Sequence, residues 1–151
     1  MSAENRILLV EDNPAERRLA MEAFRANFSR ATVYAVEDGV EALSFLRGTG
    51  KYEGSPLPNL IILDLNLPRM NGRDVIAALK DDAVLRQIPI VVLTSSHAGE
   101  DVRACYALHA NCYITKPLDL DTFFNVVHDI EKLWLADAQL PNLEAPDEMR
   151  N

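Results

Sequence analysis

Cysteine is scarce in this sequence. Its 151 residues include only Cys105 and Cys112, which form no C-x-x-C pair and lie in no Cys/His pattern typical of zinc sites. The sequence therefore indicates neither a disulfide framework nor a structural zinc site. With 48% hydrophobic residues, a chain of this length can form a core without such links, so we expect one globular domain.

Long apolar runs and an excess of basic residues are also missing. No apolar run approaches the roughly 20 residues that span a bilayer, and residues 1–6 are too polar for a secretory signal. Lys and Arg number 15 against 23 Asp and Glu, for a net charge of -8. Nucleic acids and anionic membranes bind clustered basic residues, so neither is an expected partner. We expect a cytoplasmic protein.

Five short apolar runs are present, and helix-length segments separate them. Each run is solidly apolar and rich in Val, Ile and Leu, which is typical of parallel strands buried on both faces. The pattern predicts an α/β protein of five βα units with a doubly wound parallel sheet. The predicted strands are residues 7–10, 32–36, 60–63, 90–93 and 112–114. The predicted helices begin near residues 14, 39, 72, 99 and 119, and the last two end near 108 and 137.

Polar residues follow four of these strands directly. Glu11 and Asp12 follow the first, Asp64 the third, Thr94 the fourth and Lys116 the fifth. The carboxyl ends of parallel strands meet at one edge of the sheet, where such folds bind ligands. Two carboxylates 4 Å apart repel by roughly 4 kcal/mol at an effective dielectric near 20, so a cation is expected among them. Oxygen ligands favour Mg²⁺.

This combination favours phosphoryl transfer to a carboxylate. A bound cation would let an anionic donor approach Asp64, which would act as the nucleophile. Lys116 would supply a positive charge to the phosphoryl oxygens, and the Thr94 hydroxyl could donate a hydrogen bond to one of them. Each of these residues alone is usually structural, and only their coincidence makes the prediction.

Four segments carry a family resemblance. They are I-L-L-V-E-D-N-P at 7–14, L-I-I-L-D-L-N-L-P-R-M-N-G at 60–72, V-V-L-T-S-S at 91–96 and Y-I-T-K-P at 113–117. Together they resemble the receiver domain of two-component response regulators. The resemblance implies a flavodoxin-like sheet of order 2-1-3-4-5, a receiver domain over 6–137 and a tail over 138–151.

The resemblance also implies a role for each matching residue. Asp64 becomes the phospho-acceptor, with Thr94 and Lys116 in contact with the phosphoryl group. Asp12 and Asp64 become carboxylate ligands of Mg²⁺, or of Mn²⁺ in its place. Glu11 lies beside them, and the backbone carbonyl of Asn66 is a further ligand.

Three further positions bear on switching and on the phosphoryl lifetime. Tyr113 falls at the family's switch aromatic, whose ring moves inward when the Thr hydroxyl turns toward the phosphoryl group. Asn66 and Ser96 lie where the family tunes autodephosphorylation, so the motif leaves the lifetime open. The Lys–Pro bond of the family is usually cis, which makes Pro117 a candidate for a cis peptide bond.

The implied protein is a signalling switch and not an enzyme with turnover. No output domain follows the fifth helix, so we expect a stand-alone regulator that accepts its phosphoryl group from a histidine kinase and changes partner. The segments at 48–59 and 106–117 and the end of the fifth helix look most like regulators paired with bacterial phytochrome kinases. A homodimer is expected, with the tail as a possible dimerisation arm, while the downstream partner is unknown.

Two other functions remain open at this point. An aspartate-nucleophile, Mg²⁺-dependent phosphohydrolase shares the Asp, the metal and the Lys, but typically has an acid two residues after its nucleophile, where this chain has Asn66. A flavodoxin-like FMN-binding electron carrier shares the topology. Glu11 and Asp12 would repel its phosphate, which needs a Ser/Thr/Gly loop at that place.

Overall fold

The computed structural model describes residues 5–26 and 31–137. It contains a five-stranded parallel sheet of order β2-β1-β3-β4-β5, which confirms the expected fold. The strands are β1 Arg6–Val10, β2 Thr32–Val36, β3 Leu60–Leu63, β4 Ile90–Thr94 and β5 Cys112–Thr115. The helices are α1 Pro14–Ala26, α2 Gly39–Arg47, α3 Gly72–Lys80, α4 Gly99–Ala107 and α5 Leu120–Ile130. The expected tail, 138–151, lies outside the described residues.

The central strands β1, β3 and β4 are buried on both faces, as their solidly apolar sequences predicted, whereas the edge strands β2 and β5 are mostly half-buried. Successive residues of a strand point to opposite faces, so each strand contributes to two cores. Leu8 and Val10 pack in the core under α2 and α3, together with Ile76 of α3. Ile7 and Leu9 pack in the core under α1 and α5. Two-sided burial of the central strands, together with the parallel pairing of β2 to β1 and of β5 to β4, fixes the carboxyl ends of the five strands relative to one another.

Four helices begin at side chains that accept backbone N–H groups. Such N-caps satisfy donors that have no partner within the helix. The capping residues are Asn13 for α1, Asp38 for α2, Asn71 for α3 and Asp119 for α5. Asp119 thus acts in helix capping.

The C-terminal helix changes its geometry part-way along. The expected single helix over 119–137 is an α-helix only to Ile130, and a π-helical segment, Glu131–Asp137, follows it. Phe123, Val127 and Ile130 form a core-facing stripe, and Trp134 packs beside it. Within the described ranges, no helix is long and apolar enough to cross a bilayer.

Candidate functional site

Three acidic residues converge at the carboxyl edge of the sheet. Val10 of β1 pairs in register with Leu63 of β3, so the residues that follow these two positions lie side by side. Glu11, Asp12 and Asp64 each place a carboxylate oxygen within 4.8 Å of those of the other two. Glu11 and Asp64 are buried, whereas Asp12 is exposed. The arrangement follows directly from the strand order.

Lys116 neutralises part of this acidic cluster. Its backbone N–H donates to the carbonyl of Thr94 at 2.7 Å, which anchors the residue just beyond β5. Its Nζ donates to Asp64 Oδ2 at 3.0 Å, to Glu11 Oε1, and to Glu16 Oε2 on α1 at 3.4 Å. The side chain of Lys116 is only 7% exposed, so water screens these ion pairs weakly.

Thr94 engages the other oxygen of Asp64. The Thr94 hydroxyl is fully buried and donates to Asp64 Oδ1 at 2.7 Å. The backbone N–H of Asn66 donates to the same oxygen at 3.2 Å. Hydrogen-bond donors therefore engage both oxygens of Asp64 and hold its side chain at a defined position.

Burial and the lysine set the protonation of the site. Burial raises the pKa of Glu11 to about 7, although its hydrogen bond from Lys116 acts in the opposite direction. Burial would also raise the pKa of Asp64, but the donors Thr94 and Lys116 outweigh it and hold that pKa below its ordinary value. Burial lowers the pKa of Lys116, whereas the carboxylates of Glu11 and Asp64 raise it. The carboxylates have the larger effect, so the pKa of Lys116 is above its ordinary value.

The carboxylate oxygens of this cluster suit a divalent cation as ligands. Three carboxylates and one ammonium leave the cluster acidic, and carboxylate oxygens are the ligands that Mg²⁺ and Mn²⁺ prefer. Asp12 and Asn66 line an open cavity of about 490 Å³, which leaves room for metal-bound water and for an anionic donor. The residues expected to bind metal therefore lie together beside an accessible space.

Gly72 allows the backbone that carries Asp64 to approach α3 closely. A Cβ atom built at Gly72 would lie 2.5 Å from the carbonyl oxygen of Asp64, well inside contact distance. The Gly72 N–H also donates to the carbonyl of Leu65 at 2.9 Å. The glycine of the M-N-G sequence is thus required by its close packing against the backbone of Asp64, directly after β3.

Tyr113 lies inward, on the core side of β5. Its ring is half-buried against the core under α2 and α3, and its hydroxyl donates to the backbone carbonyl of Ser96 at 2.8 Å. The Ser96 N–H in turn lies 3.5 Å from the hydroxyl of Thr94. Tyr113 and Thr94, the two residues expected to switch, therefore meet through one residue of the loop after β4.

The Lys116–Pro117 bond is trans, which corrects the expected cis bond. The trans form of an X–Pro bond is favoured by about 0.5–1 kcal/mol unless packing opposes it. Lys116 reaches Asp64 and Glu11 in this geometry, so the described site does not depend on a cis bond.

Several site residues escaped the sequence analysis. Glu16 contacts Lys116, and Arg17 Nη1 donates to the carbonyl of Glu11 at 2.9 Å, so the first turn of α1 closes one side of the site. Asp38 follows β2, the one strand to which no site residue was assigned, and its Oδ2 lies 3.5 Å from Nε of Arg69. The sequence carried a signal for Asp38, because it follows the end of β2 closely, whereas Glu16 and Arg17 lie within α1 and had none of this kind.

Comparison with known proteins gives one consistent result. The family model described as "Response regulator receiver domain" matches residues 7–128. Response regulator Rcp1 of Synechocystis sp. is 47% identical over 135 residues, covering 89% of this chain and 92% of its own.

Two crystal structures extend the comparison. One is the phosphorylated cyanobacterial phytochrome response regulator RcpA, with a TM-score of 0.89 and 46% identity, over 93% of this chain and all of the other. The second is the Mn²⁺-bound form of response regulator Rcp1, with a TM-score of 0.87 and 46% identity over 91% and 99% of the two chains.

Proposed function

The chain belongs to the family of response regulator receiver domains, and on that premise we propose that Asp64 is its phospho-acceptor. The protein is a signalling protein of a two-component system. The proposed reaction transfers a phosphoryl group from a histidine kinase to Asp64 and depends on Mg²⁺. The observation that carries this proposal is that fixed donors from Thr94 and Lys116 hold the two oxygens of Asp64 beside Glu11 and Asp12.

The side chains of the site have distinct tasks in this reaction. An oxygen of Asp64 attacks the phosphorus of the donor phosphohistidine, while the nitrogen–phosphorus bond breaks and its electrons return to the imidazole. Lys116 and Thr94, freed from the carboxylate, donate to the phosphoryl oxygens and stabilise their charge. Bound Mg²⁺, held by Glu11, Asp12, Asp64 and the Asn66 carbonyl, would supply the remaining positive charge.

We propose that the upstream kinase is a phytochrome and that the pathway senses light. The support is the similarity to RcpA, which is described as a cyanobacterial phytochrome response regulator. A purified phytochrome kinase should transfer its phosphoryl group to this protein much faster than a non-cognate histidine kinase does. Equal transfer from both kinases would count against the phytochrome assignment.

The phosphohydrolase and the electron carrier are not favoured by these comparisons. The family match covers the acceptor, and Asn66 stands where a hydrolase typically has its acid. Incubation with a small phosphodonor and Mg²⁺ distinguishes a receiver from these two alternatives. A receiver takes up one phosphoryl group per chain and releases it slowly as phosphate. Chelation of the metal should prevent this uptake. Sustained release of many equivalents of phosphate would support the hydrolase, and bound FMN would support the electron carrier.

We also propose a cytoplasmic homodimer. Leu133, in the π-helical segment after α5, is an apolar residue whose exposed fraction is 55%, and Leu140 and Leu143 follow in the sequence outside the described residues. Contiguous exposed apolar surface is typical of a contact between subunits. Sedimentation at micromolar concentration should give twice the chain mass, and truncation after Asp137 should weaken association. A monomer mass for the full chain would contradict the proposal.

A further inference from the structure

Ser96, in the loop between β4 and α4, is held at three atoms. Its N–H lies 3.5 Å from the hydroxyl of Thr94, and its carbonyl accepts a hydrogen bond from Tyr113 at 2.8 Å. Its hydroxyl donates to Oδ2 of Asp101, in the first turn of α4, at 2.5 Å. The first two contacts use the backbone. The Ser96 hydroxyl also accepts a hydrogen bond from the N–H of Ala98 at 3.5 Å, and Asp101 takes the one proton that this hydroxyl can donate.

Asp101 is itself held from a second helix. Its Oδ1 lies 3.7 Å from Nη1 of Arg73 on α3, and its side chain is 26% exposed. Asp101 and Arg73 line the same cavity as Asp12 and Asn66. The hydroxyl of Ser96 therefore donates to a carboxylate that lines the same cavity as Asp12 and Asn66.

We propose that Asp101 is a positioning residue that lengthens the life of the phosphoryl group by occupying the hydroxyl of Ser96. The inference rests on the proposed phosphorylation of Asp64. In the step that it affects, a water oxygen attacks phosphorus and the bond from phosphorus to the Asp64 oxygen breaks. The electron pair returns to the carboxylate, and the proton of the water leaves with inorganic phosphate or solvent.

The chemistry of a hydroxyl explains the direction of the effect. A serine hydroxyl has one proton to donate, and a carboxylate is a stronger acceptor than water. While Asp101 accepts this proton, the hydroxyl cannot donate to a water in the cavity or to the phosphoryl oxygens. Without the carboxylate the side chain of Ser96 is released to turn toward them and orient the attacking water.

The test is the decay of the phosphorylated protein after removal of the phosphodonor, in Mg²⁺. Asp101→Ala should shorten the half-life about fivefold, as expected when a hydrogen bond of about 1 kcal/mol no longer restrains the hydroxyl. Asp101→Asn keeps an oxygen acceptor and should restore most of the lifetime. The control is Glu100→Ala, which removes an exposed acid from the same turn of α4.

A double variant tests whether Asp101 acts through Ser96. In a Ser96→Ala background, Asp101→Ala should change the half-life little, because no hydroxyl is left to release. Asp101→Leu, of similar shape but without an acceptor, repeats the test should Asp101→Ala not fold. A wild-type half-life in the acceptor-free variants, or the same shortening in the Ser96→Ala background, would overturn the inference. Failure of the wild-type protein to take up any phosphoryl group would instead refute the proposed function, and this inference with it.

Discussion

The ammonium of Lys116 lies 3.0 Å from Oδ2 of Asp64, although 52 residues separate the two along the chain. Both side chains are 7% exposed. Each compensates the buried charge of the other, and Glu11 shares the same ammonium. The stability of the metal-free protein and the proposed reactivity of Asp64 therefore depend on one ion-paired cluster.

Lys116→Ala should destabilise the metal-free protein. Removing one partner of a buried ion pair leaves the other charge uncompensated, which typically costs about 3–5 kcal/mol. Denaturant unfolding at pH 8 without metal measures the loss, and excess Mg²⁺ should recover part of it. Lys132→Ala, at an exposed position, is the control and should change stability little. Equal effects of the two substitutions would contradict this account of the cluster.

The metal-free protein should lose stability as the pH rises from about 5 to about 7.5. Burial raises the pKa of Glu11 from its ordinary value of 4.5 to about 7. Between these values the folded state keeps a proton that the unfolded state has lost, so rising pH favours unfolding. The slope of the free energy of unfolding against pH, measured with a chelator present, should be smaller in Glu11→Gln. An identical slope in both proteins would show that Glu11 does not titrate in this range.

Gly72→Ala should damage both the fold and the acceptor. The new Cβ would lie 2.5 Å from the carbonyl of Asp64, so the acceptor strand or α3 must shift. A displacement of this kind typically costs 1–3 kcal/mol, and it should slow phosphorylation as well. At Gly99 a Cβ would meet only the end of the Arg103 side chain, at 3.2 Å, so Gly99→Ala is the control. Unfolding curves and phosphorylation rates of the two variants should differ clearly.

His109→Gly should stabilise the protein. His109 follows α4 with a φ of 70°, in the left-handed region where a side chain strains the backbone. The expected gain is about 0.5–1 kcal/mol in the free energy of unfolding. Gly48, with a φ of 65° after α2, is the reciprocal case, and Gly48→Ala should destabilise by a similar amount. Thermal unfolding of both variants checks whether the two shifts have opposite signs.

Some parts of this molecule were predictable because they depend on chain order. The solidly apolar runs predict buried parallel strands, and parallel strands place Glu11, Asp64, Thr94 and Lys116 at one edge whatever the details of packing. The cap at Asn13 is equally local, since Asn followed by Pro favours a helix start. These features required no knowledge of distances.

Other parts depend on packing and could not be predicted in this way. The contact between Ser96 and Asp101 joins a loop to a helix, and its partner Arg73 comes from α3. Only the relative placement of α3 and α4 brings these side chains together. The trans bond at Pro117 likewise reflects a small energy difference that local packing decides.

The most direct test of the central claim is the site of phosphorylation. The protein is treated with a small phosphodonor and Mg²⁺, reduced with borohydride to convert a phosphorylated aspartate to homoserine, and mapped by peptide mass spectrometry. Homoserine is expected at position 64 in the wild type. It is expected there also in the control variant Asp74→Asn, which changes an exposed residue of α3, and it should be absent from Asp64→Asn. Homoserine at another position in the wild type, or undiminished phosphoryl uptake by Asp64→Asn, would contradict the account.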